Sequence, residues 1–577
     1  MATYYWVGGD GTWDNANTTN WSNASGGASG FGPPTSSDTA IFDSSSGTGI
    51  CTTAATASVS DVTLNSSTLG LTLGASLSMG GNFTLTAGTL SLASYTLTCY
   101  VFSSSNANTR AIAFGSGNIT ITANATTIWN IGIATGFSYT GTPVVNCIYA
   151  GATGTRTITN CTSGVRSTTQ SVSFNITAGT DIVTVGTSYC FNLNFTGFSG
   201  TWSNTATRLA GSLVVSSSMT VTAGASIVYF DAIVGSGTQK ITTNGKTLDF
   251  PIYVGTGATN PTFQLQDNCT IGSTRTFLLS SGTLDLNNLT LSTGIFSSSG
   301  TDTRSIAFGT GNITLTGNNA TVCSFATVTN FSYTGTPTVN LTYAGSTGIR
   351  TIAFGSTSGA TELNSLNFNI LSGSDSISIS TVGRVKSLDF TGFSGILLNR
   401  TIICFGSLTL SNTMTIEAST NVISFNATSG IQQITTNGVT VDKPITFNGI
   451  GGTFAFQDGL TQGSTRAFTV TNGTVQLKNG VTSTVGAFAT SGTTQKFLQS
   501  TTPGSQATLS QASGTVNASY LTIQDINATG GAEWDAFTNQ NNIDAGNNDG
   551  WDFGISPVVG GAEYTYSMRS FTQPRRF

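Results

Sequence analysis

The chain has 577 residues and a net charge of −5, and only 7% of its residues are charged. It contains no histidine, the residue that most often serves as a general base or a metal ligand in proteins. Nucleic-acid-binding proteins depend on clustered positive charge, so this composition gives no electrostatic basis for binding nucleic acid.

The first 48 residues are richer in tryptophan than the rest of the chain, with Trp6, Trp13 and Trp21 among Gly, Asn and Asp residues. Stacked repeat arrays need a terminal unit that hides their open end, so we expect residues 1–48 to form a compact cap. Stacking on carbohydrate is the alternative role for these rings. The opening residues lack the features of a secretory signal peptide, and no apolar run is long enough to span a bilayer.

Residues 49–500 consist of short segments in which Leu, Ile or Val alternates with Thr, Ser or Asn after a glycine. Examples are GTLSL from Gly88, GNITIT from Gly117 and GTLDLNNLTL from Gly282. Alternation with a period of two, bounded by turn residues, predicts half-buried β-strands. We find no long helical period in this region.

A long internal duplication indicates how these strands are arranged. TRAIAFGSGNITIT from Thr109 returns as TRSIAFGTGNITLT from Thr303, and FTGFSG from Phe195 returns from Phe390. A nearly constant offset over this length means that one structural unit was duplicated. The predicted segments are a first copy at 49–270, a second copy at 271–460 and a partial third copy at 461–500.

Repeated strands predict an all-β chain folded as a β-solenoid, specifically a right-handed parallel β-helix with a small capping region at each end. Stacked strands lie about 4.8 Å apart, and about 20 residues per coil would give roughly 22 coils. Four phenylalanines occupy matched positions of the two copies, and we expect them to form an internal aromatic ladder. They are Phe195, Phe198, Phe390 and Phe393.

A basic residue followed by one small residue and then Ile or Phe recurs through the body. These arginines are Arg110, Arg156, Arg275, Arg304, Arg350 and Arg466. One interpretation is a stripe of arginines that binds an anionic ligand. We favour the other, in which each arginine marks the same corner of a coil and lays its stem along the wall with its head in water.

Few residues carry the chemistry needed for catalysis. The eight cysteines lack any CxxC spacing and are expected to be small buried hydrophobic residues. Glycoside hydrolysis needs two carboxylates, and several aspartates recur at matched places in both copies, which favours a structural role for them. Asp231 has no counterpart and forms the remaining candidate pair with Asp249. We therefore expect no catalytic residue, no metal and no cofactor.

Residues 501–553 are acidic, carry Trp534 and Trp551, and are predicted to form the second cap. DAGNNDGWD from Asp544 has the composition of a calcium loop but not the EF-hand spacing. Residues 554–577 form a linker and a basic, aromatic tail, which we expect to dock on a partner; a disordered tail is the alternative. The predicted docking residues are Tyr564, Tyr566, Arg569, Phe571, Arg575, Arg576 and Phe577.

The opening YYWVGGDGTWDNANTTNWS, the GSGNITIT coils and the closing YLTIQD, ATGGAEW and GNNDGWDF resemble β-rich structural proteins of phage and metagenomic genomes. The resemblance implies a non-enzymatic virion protein, a β-solenoid fibre or appendage that projects from a phage particle and contacts the host cell surface. It would be made in the host cytoplasm and released by lysis.

The expected partners are other virion proteins, bound through one terminus, and a host surface glycan or protein, with a homotrimer as one assembly state. We expect no nucleic acid and no membrane insertion. Two alternatives stay open: a tailspike-type polysaccharide depolymerase, and a self-assembling extracellular filament or adhesin.

Overall fold

The computed structural model describes residues 1–163, 171–186, 189–231, 237–256, 260–380 and 382–556. It is a parallel β-solenoid of about 22 turns with 49% of residues in strands, which confirms the predicted fold class and number of coils. No helix that could cross a lipid bilayer occurs in the described part of the chain. The longest strands are Phe83–Ser91, Thr127–Ile133, Thr155–Ser163, Ile349–Ser358, Ile445–Phe456 and Ala467–Leu477.

The chain divides into two compact units, residues 1–417 and the residues from 418 onward. In the first unit, one wall shows how the turns stack. Leu97, Ile119, Val145 and Phe174 follow one another in parallel register, and all four are fully buried. Alternate residues point to opposite faces of a strand, so the intervening Thr and Asn residues face outward. The strands of this wall are Thr96–Cys99, Asn118–Ile121, Val144–Cys147, Val172–Ile176 and Tyr189–Asn194.

Stacked aromatic rings fill the core of both units. In the first unit seven phenylalanines follow one another with ring centroids 4.6 to 5.8 Å apart. They are Phe230, Phe263, Phe277, Phe296, Phe325, Phe354 and Phe368. In the second unit Phe425, Phe447, Phe468 and Phe488 stack at 5.1 to 5.9 Å. Such contacts add about 0.5–1.5 kcal/mol per pair beyond simple burial.

The four phenylalanines predicted from the duplication are internal, but they contact each other in pairs within one copy. Phe195 and Phe198 lie 5.8 Å apart, and Phe390 and Phe393 lie 5.9 Å apart. All four are fully buried. They fill the same corner in each copy, whereas the long stack is built from other rings.

Tryptophan clusters lie near the first and the last described residues. Trp6, Trp13 and Trp21 are fully buried and surround Phe42, with Trp21 5.2 Å from Trp6 and 5.3 Å from Trp13. The strand Thr3–Trp6 pairs antiparallel with Trp21–Ser22 and parallel with Thr39–Phe42. Because these rings are enclosed, they present no face to a sugar.

The second unit has a corresponding cluster. Trp534 and Trp551 pack edge to face with centroids 5.0 Å apart, and both lie about 6 Å from Phe488. A single-turn 3-10 helix, Thr538–Gln540, and the short strand Ile543–Asp544 follow Trp534.

Four of the six arginines of the repeated motif are buried, which corrects the prediction that they keep their heads in water. Arg110, Arg156, Arg304 and Arg350 are at most 1% exposed. Each guanidinium donates hydrogen bonds to carbonyl or carboxylate oxygens inside the solenoid, and these bonds replace contacts with solvent.

Arg156 and Arg350 form equivalent buried ion pairs in the two copies. Arg156 donates from Nε to Asp181 at 2.7 Å and from Nη2 at 2.8 Å, and Arg350 contacts Asp375 at the same two distances. Two N–H···O bonds to one carboxylate fix both side chains in the plane of the pair. The duplication seen in the sequence is therefore also a duplication of contacts.

Arg110 and Arg304 are held mainly by backbone carbonyls. Arg304 donates to the carbonyls of Asp302, Ser298, Thr327 and Thr329, which belong to two successive turns. Arg110 makes the matching contacts with Asn108, Ser104, Ile133 and Thr135. Burial lowers the pKa of the Arg304 guanidinium, and the nearby carboxylate of Asp302 opposes that shift.

Arg275 and Arg466 retain partial exposure, with 23% and 17% of the side chain accessible, and they pair with Asp249 and Asp442 at 2.7 and 2.6 Å. The same sequence motif therefore produces both closed and solvent-facing ion pairs.

We predict that Asp181→Asn destabilises the first unit by about 3–5 kcal/mol, because it leaves a buried guanidinium without its counter-charge. The matched control is Asp249→Asn, whose half-exposed ion pair should contribute at most about 1 kcal/mol. The measurement is hydrogen–deuterium exchange of Thr155–Ser163 and Ile182–Val185, the strands that carry the buried pair. Equal exchange in both variants would contradict the assignment.

Candidate functional site

The predicted docking residues of the tail, Tyr564, Tyr566, Arg569, Phe571, Arg575, Arg576 and Phe577, lie outside the described residues. Their role stays a prediction. A candidate site has to be sought on the solenoid itself, among the titratable groups and the outward-facing side chains.

The duplicated aspartates have structural partners. Besides the two buried ion pairs, Asp267 accepts hydrogen bonds from the backbone N–H groups of Thr243 and Asn244, and Asp458 does the same for the corresponding residues of the second unit, Thr436 and Asn437. Each carboxylate thus holds a turn in the preceding coil. The prediction that the matched aspartates have a structural role is confirmed by these contacts.

Asp231 and Asp249, the candidate acid pair, are each bound to a different arginine. Asp231 forms an ion pair with Arg208 and accepts a hydrogen bond from the Thr256 hydroxyl at 2.6 Å. Asp249 lies 2.7 Å from Arg275. Each carboxylate is therefore engaged by an arginine of its own.

The seven cysteines with described side chains are buried, as predicted: Cys51, Cys99, Cys147, Cys190, Cys269, Cys323 and Cys404. Burial raises the pKa of Cys147, Cys269, Cys323 and Cys404 to about 12. A thiol becomes a strong nucleophile only as the thiolate. These residues therefore act as packing groups.

The acidic loop near the end of the described chain is held by internal hydrogen bonds. Asp544 accepts from the N–H of Gly546 at 2.9 Å and from the Asn548 amide at 2.7 Å, and Asp549 accepts from Gln506. No group of three or more acidic, cysteine or histidine side chains suited to a metal occurs among the described residues.

A column of outward-facing aromatic and cationic side chains follows successive turns of the first unit. Tyr189, Arg208, Tyr229 and Tyr253 stand in parallel register. The Arg208 guanidinium lies 3.8 Å from the centre of the Tyr229 ring, and the Tyr229 and Tyr253 rings meet edge to face at 5.8 Å. Cation–π and ring contacts of this kind give a half-buried surface a fixed shape.

A groove of about 640 Å³ begins on the same strand, Tyr189–Asn194, and is lined mainly by Asn, Ser and apolar side chains. A β-bulge lies on one side of it. Val172 pairs with Cys190 and Phe174 pairs with Leu193, so the second strand has one extra residue between the pairs. Cys190 and Leu193 are buried, and the two intervening residues, Phe191 and Asn192, are half-buried and line the groove. Bulges commonly redirect side chains in this way.

The amide groups of the groove belong to an ordered ladder. Asn146 donates to Asn118 at 3.2 Å, Asn175 to Asn146 at 2.9 Å and Asn194 to Asn175 at 3.4 Å. A carboxamide has two N–H donors, and each of these ladder bonds uses one. The ladder therefore presents aligned amides along the outer wall.

The second copy has the same backbone pattern but different groove residues. Phe191, Asn192 and Asn194 correspond to Lys386, Ser387 and Asp389, which show the same alternation of buried and half-buried positions. Lys386 extends over the Tyr333 ring, with its Nζ 5.9 Å from the ring centre. The uncharged groove is therefore specific to the first copy.

Comparison with protein-family models, with curated proteins and with solved structures finds no match to this chain. Sequence reasoning did not identify the groove, because the outward residues look like ordinary strand residues. A usable signal existed in the alignment of the two copies, where the surface positions 191, 192 and 194 differ while the core around them is retained.

We predict that the buried cysteines do not react with a maleimide at about pH 8 in the folded protein, because thiols with a raised pKa stay protonated there. Peptide-resolved mass spectrometry before and after unfolding in denaturant measures the labelling. Rapid labelling of Cys147 or Cys269 in the native protein would show that the solenoid opens at those turns.

We predict a pH effect at the C-terminal end, where burial, then Glu533 and Asp552, raise the pKa of Asp535. A carboxyl whose pKa is higher in the folded state binds a proton more readily when folded, so stability falls as pH rises through that pKa. Asp535→Asn should therefore raise the thermal midpoint of the second unit at neutral pH and make little difference near pH 4. An equal effect at both pH values would contradict this cause.

Proposed function

We propose that this protein is a non-enzymatic virion structural protein, a β-solenoid fibre or appendage that projects from a phage particle and contacts the host cell surface. The observation that supports it best is the distribution of charged side chains over about 22 parallel turns. Arginines and aspartates form ion pairs and hydrogen bonds within the solenoid. The outward positions of the walls carry Thr, Ser and Asn. A stable fibre that contacts another surface through uncharged polar groups would have this distribution.

The tryptophan clusters favour discrete particles over an endless filament. Exposed strand edges promote end-to-end association. The Trp6, Trp13 and Trp21 cluster covers the first turns, and Trp534 and Trp551 lie beyond Phe488 near the last described residues. An extracellular filament would require unlimited stacking, and packed tryptophan rings at these positions oppose it.

The depolymerase alternative requires two carboxylates facing one glycosidic bond. The aspartates reviewed above pair with arginines or hold backbone turns. Asp231, the candidate without a duplicate, is paired with Arg208. These contacts favour a non-catalytic role, in which the chain binds surface carbohydrate without cleaving it.

The proposal assigns the chain to the virion, with synthesis in the host cytoplasm and release by lysis. Its partners would be other capsid or tail proteins, bound through one terminus, and a glycan or protein of the host surface. The basic, aromatic tail supplies arginine and aromatic anchors of the kind that carry binding energy in interfaces. A homotrimer is the expected assembly if the chain forms an intertwined fibre.

Cryo-electron microscopy of the parent particle tests the proposal. We expect discrete projections attached by one end. Particles carrying a chain truncated after Gly554 should lose them, while the truncated protein still gives the circular dichroism of a β-protein. The matched control replaces Arg569, Arg575 and Arg576 with lysine, which retains the charge. Particle-free filaments of the intact protein, or release of sugar from host polysaccharide by it, would contradict the proposal.

A further inference from the structure

We propose that the groove beside the strand Tyr189–Asn194 is a binding site for a neutral oligosaccharide. This inference rests on the host-contact part of the proposed function and makes it specific: it names one site on the chain and one class of ligand. The two copies of the repeat differ at this groove, while the surrounding fold is the same.

The size of the groove fits a small ligand. Its volume of about 640 Å³ lies within the range of roughly 300–1,000 Å³ that is usual for small-molecule sites. None of its described lining residues is charged. An anionic ligand would find no counter-charge there, and a nucleic acid needs several phosphate contacts.

The groove combines an aromatic ring with aligned amides, and this combination suits a sugar. The C–H face of a pyranose ring can pack on an aromatic side chain such as Phe191, and its hydroxyl groups can both donate and accept hydrogen bonds. Asn175, Asn192 and Asn194 supply carboxamides with both kinds of group. A few oriented polar groups beside apolar surface are typical of specific ligand sites.

The amides are held in place before any ligand arrives. The oxygen of Asn192 accepts a hydrogen bond from the Ser212 N–H at 2.7 Å, and its nitrogen donates to the Ser173 hydroxyl at 3.2 Å. A Cβ atom on Gly211 would lie only 2.3 Å from that oxygen, so the glycine makes room for the amide. Preorganisation of this kind reduces the entropy lost on binding.

Asn194 is fixed in a similar way. Its oxygen accepts hydrogen bonds from the N–H and hydroxyl of Thr196 at 2.9 and 2.6 Å, and its nitrogen donates to Asn175. Each of the three amides uses one N–H in these contacts with the described residues and has a second N–H for a ligand. Those N–H groups are the donors that we assign to sugar hydroxyls.

A peptide strand is a poorer occupant. Strand addition requires a sheet edge with unpaired backbone groups. The strands that form this wall pair with the turns before and after them: Val172–Ile176 with Val144–Cys147 on one side and Tyr189–Asn194 on the other. The backbone is therefore engaged, and recognition has to come from side chains.

The second copy supplies a variant that the fold already tolerates. Asp389 accepts from the N–H and hydroxyl of Thr391 at 2.8 and 2.6 Å, as Asn194 does from Thr196. Ser387 accepts from the Ser407 N–H at 3.1 Å, as Asn192 does from Ser212. The triple change Phe191→Lys, Asn192→Ser and Asn194→Asp thus keeps the hydrogen bonds accepted from Ser212 and Thr196. It removes the ring and the two amides, together with the bonds that these amides donate to Ser173 and Asn175, and it introduces charge.

The experiment uses the full-length protein on an array of bacterial cell-surface oligosaccharides, both neutral and acidic, followed by calorimetric titration of the strongest neutral binder. We expect one neutral oligosaccharide bound per chain and a loss of about 100-fold in affinity for the triple variant, since a ring contact and two hydrogen bonds are removed. The matched control, Lys386→Ala in the second copy, should leave the affinity unchanged. Thermal midpoints of all three proteins should agree.

Three results would overturn the inference: no binding of any neutral oligosaccharide, binding of acidic chains only, or equal affinity in the triple variant. The result of this binding test does not depend on the result of the cryo-electron microscopy that tests the proposed function. Projections on the particle together with any of these results would leave the proposed structural role standing and remove only the sugar site. Particle-free filaments that still bind the neutral sugar would overturn the proposed structural role and leave the sugar site standing.

Discussion

Parallel register between successive turns is the constraint on which the rest of this structure depends. Every strand residue lies about 4.8 Å from its counterpart in the next turn, so each choice of side chain restricts the one above it. Phenylalanines stack inside, asparagines form a ladder outside, and arginines bind oxygens contributed by two turns. The hydrogen bonds of the backbone fix the spacing, and the side chains specify which turn follows which.

Much of this fold could be predicted from local sequence because its determinants are local. Gly88 and Gly282 show why a glycine precedes so many strands. Both have positive φ angles, of 93° and 84°, and a Cβ atom on either would lie 2.2 Å from a carbonyl oxygen of the preceding turn. Alternation of apolar and polar residues then gives the inward and outward faces, and the nearly constant offset between copies gives the repetition.

The arginines and the groove could not be predicted in the same way, because their determinants are distant in sequence. The carbonyls that bind Arg110 include those of Ile133 and Thr135, on the following turn. A short motif shows only the cation, and a surface position is its usual location. Two residues of the groove wall, Phe191 and Asn192, lie at a bulge in the strand Tyr189–Asn194, and alternation alone does not reveal which strand contains a bulge.

The enclosed thiols and the absence of histidine have an electrostatic consequence. Between mildly acidic and mildly alkaline conditions, histidine, cysteine and the terminal amine account for nearly all proton exchange by proteins. This chain has no histidine, and burial moves the pKa of Cys147, Cys269, Cys323 and Cys404 far above that range. These groups therefore add little change to the surface potential when the surrounding medium changes acidity within that range, so the electrostatic interactions of the chain should vary more with salt than with pH there.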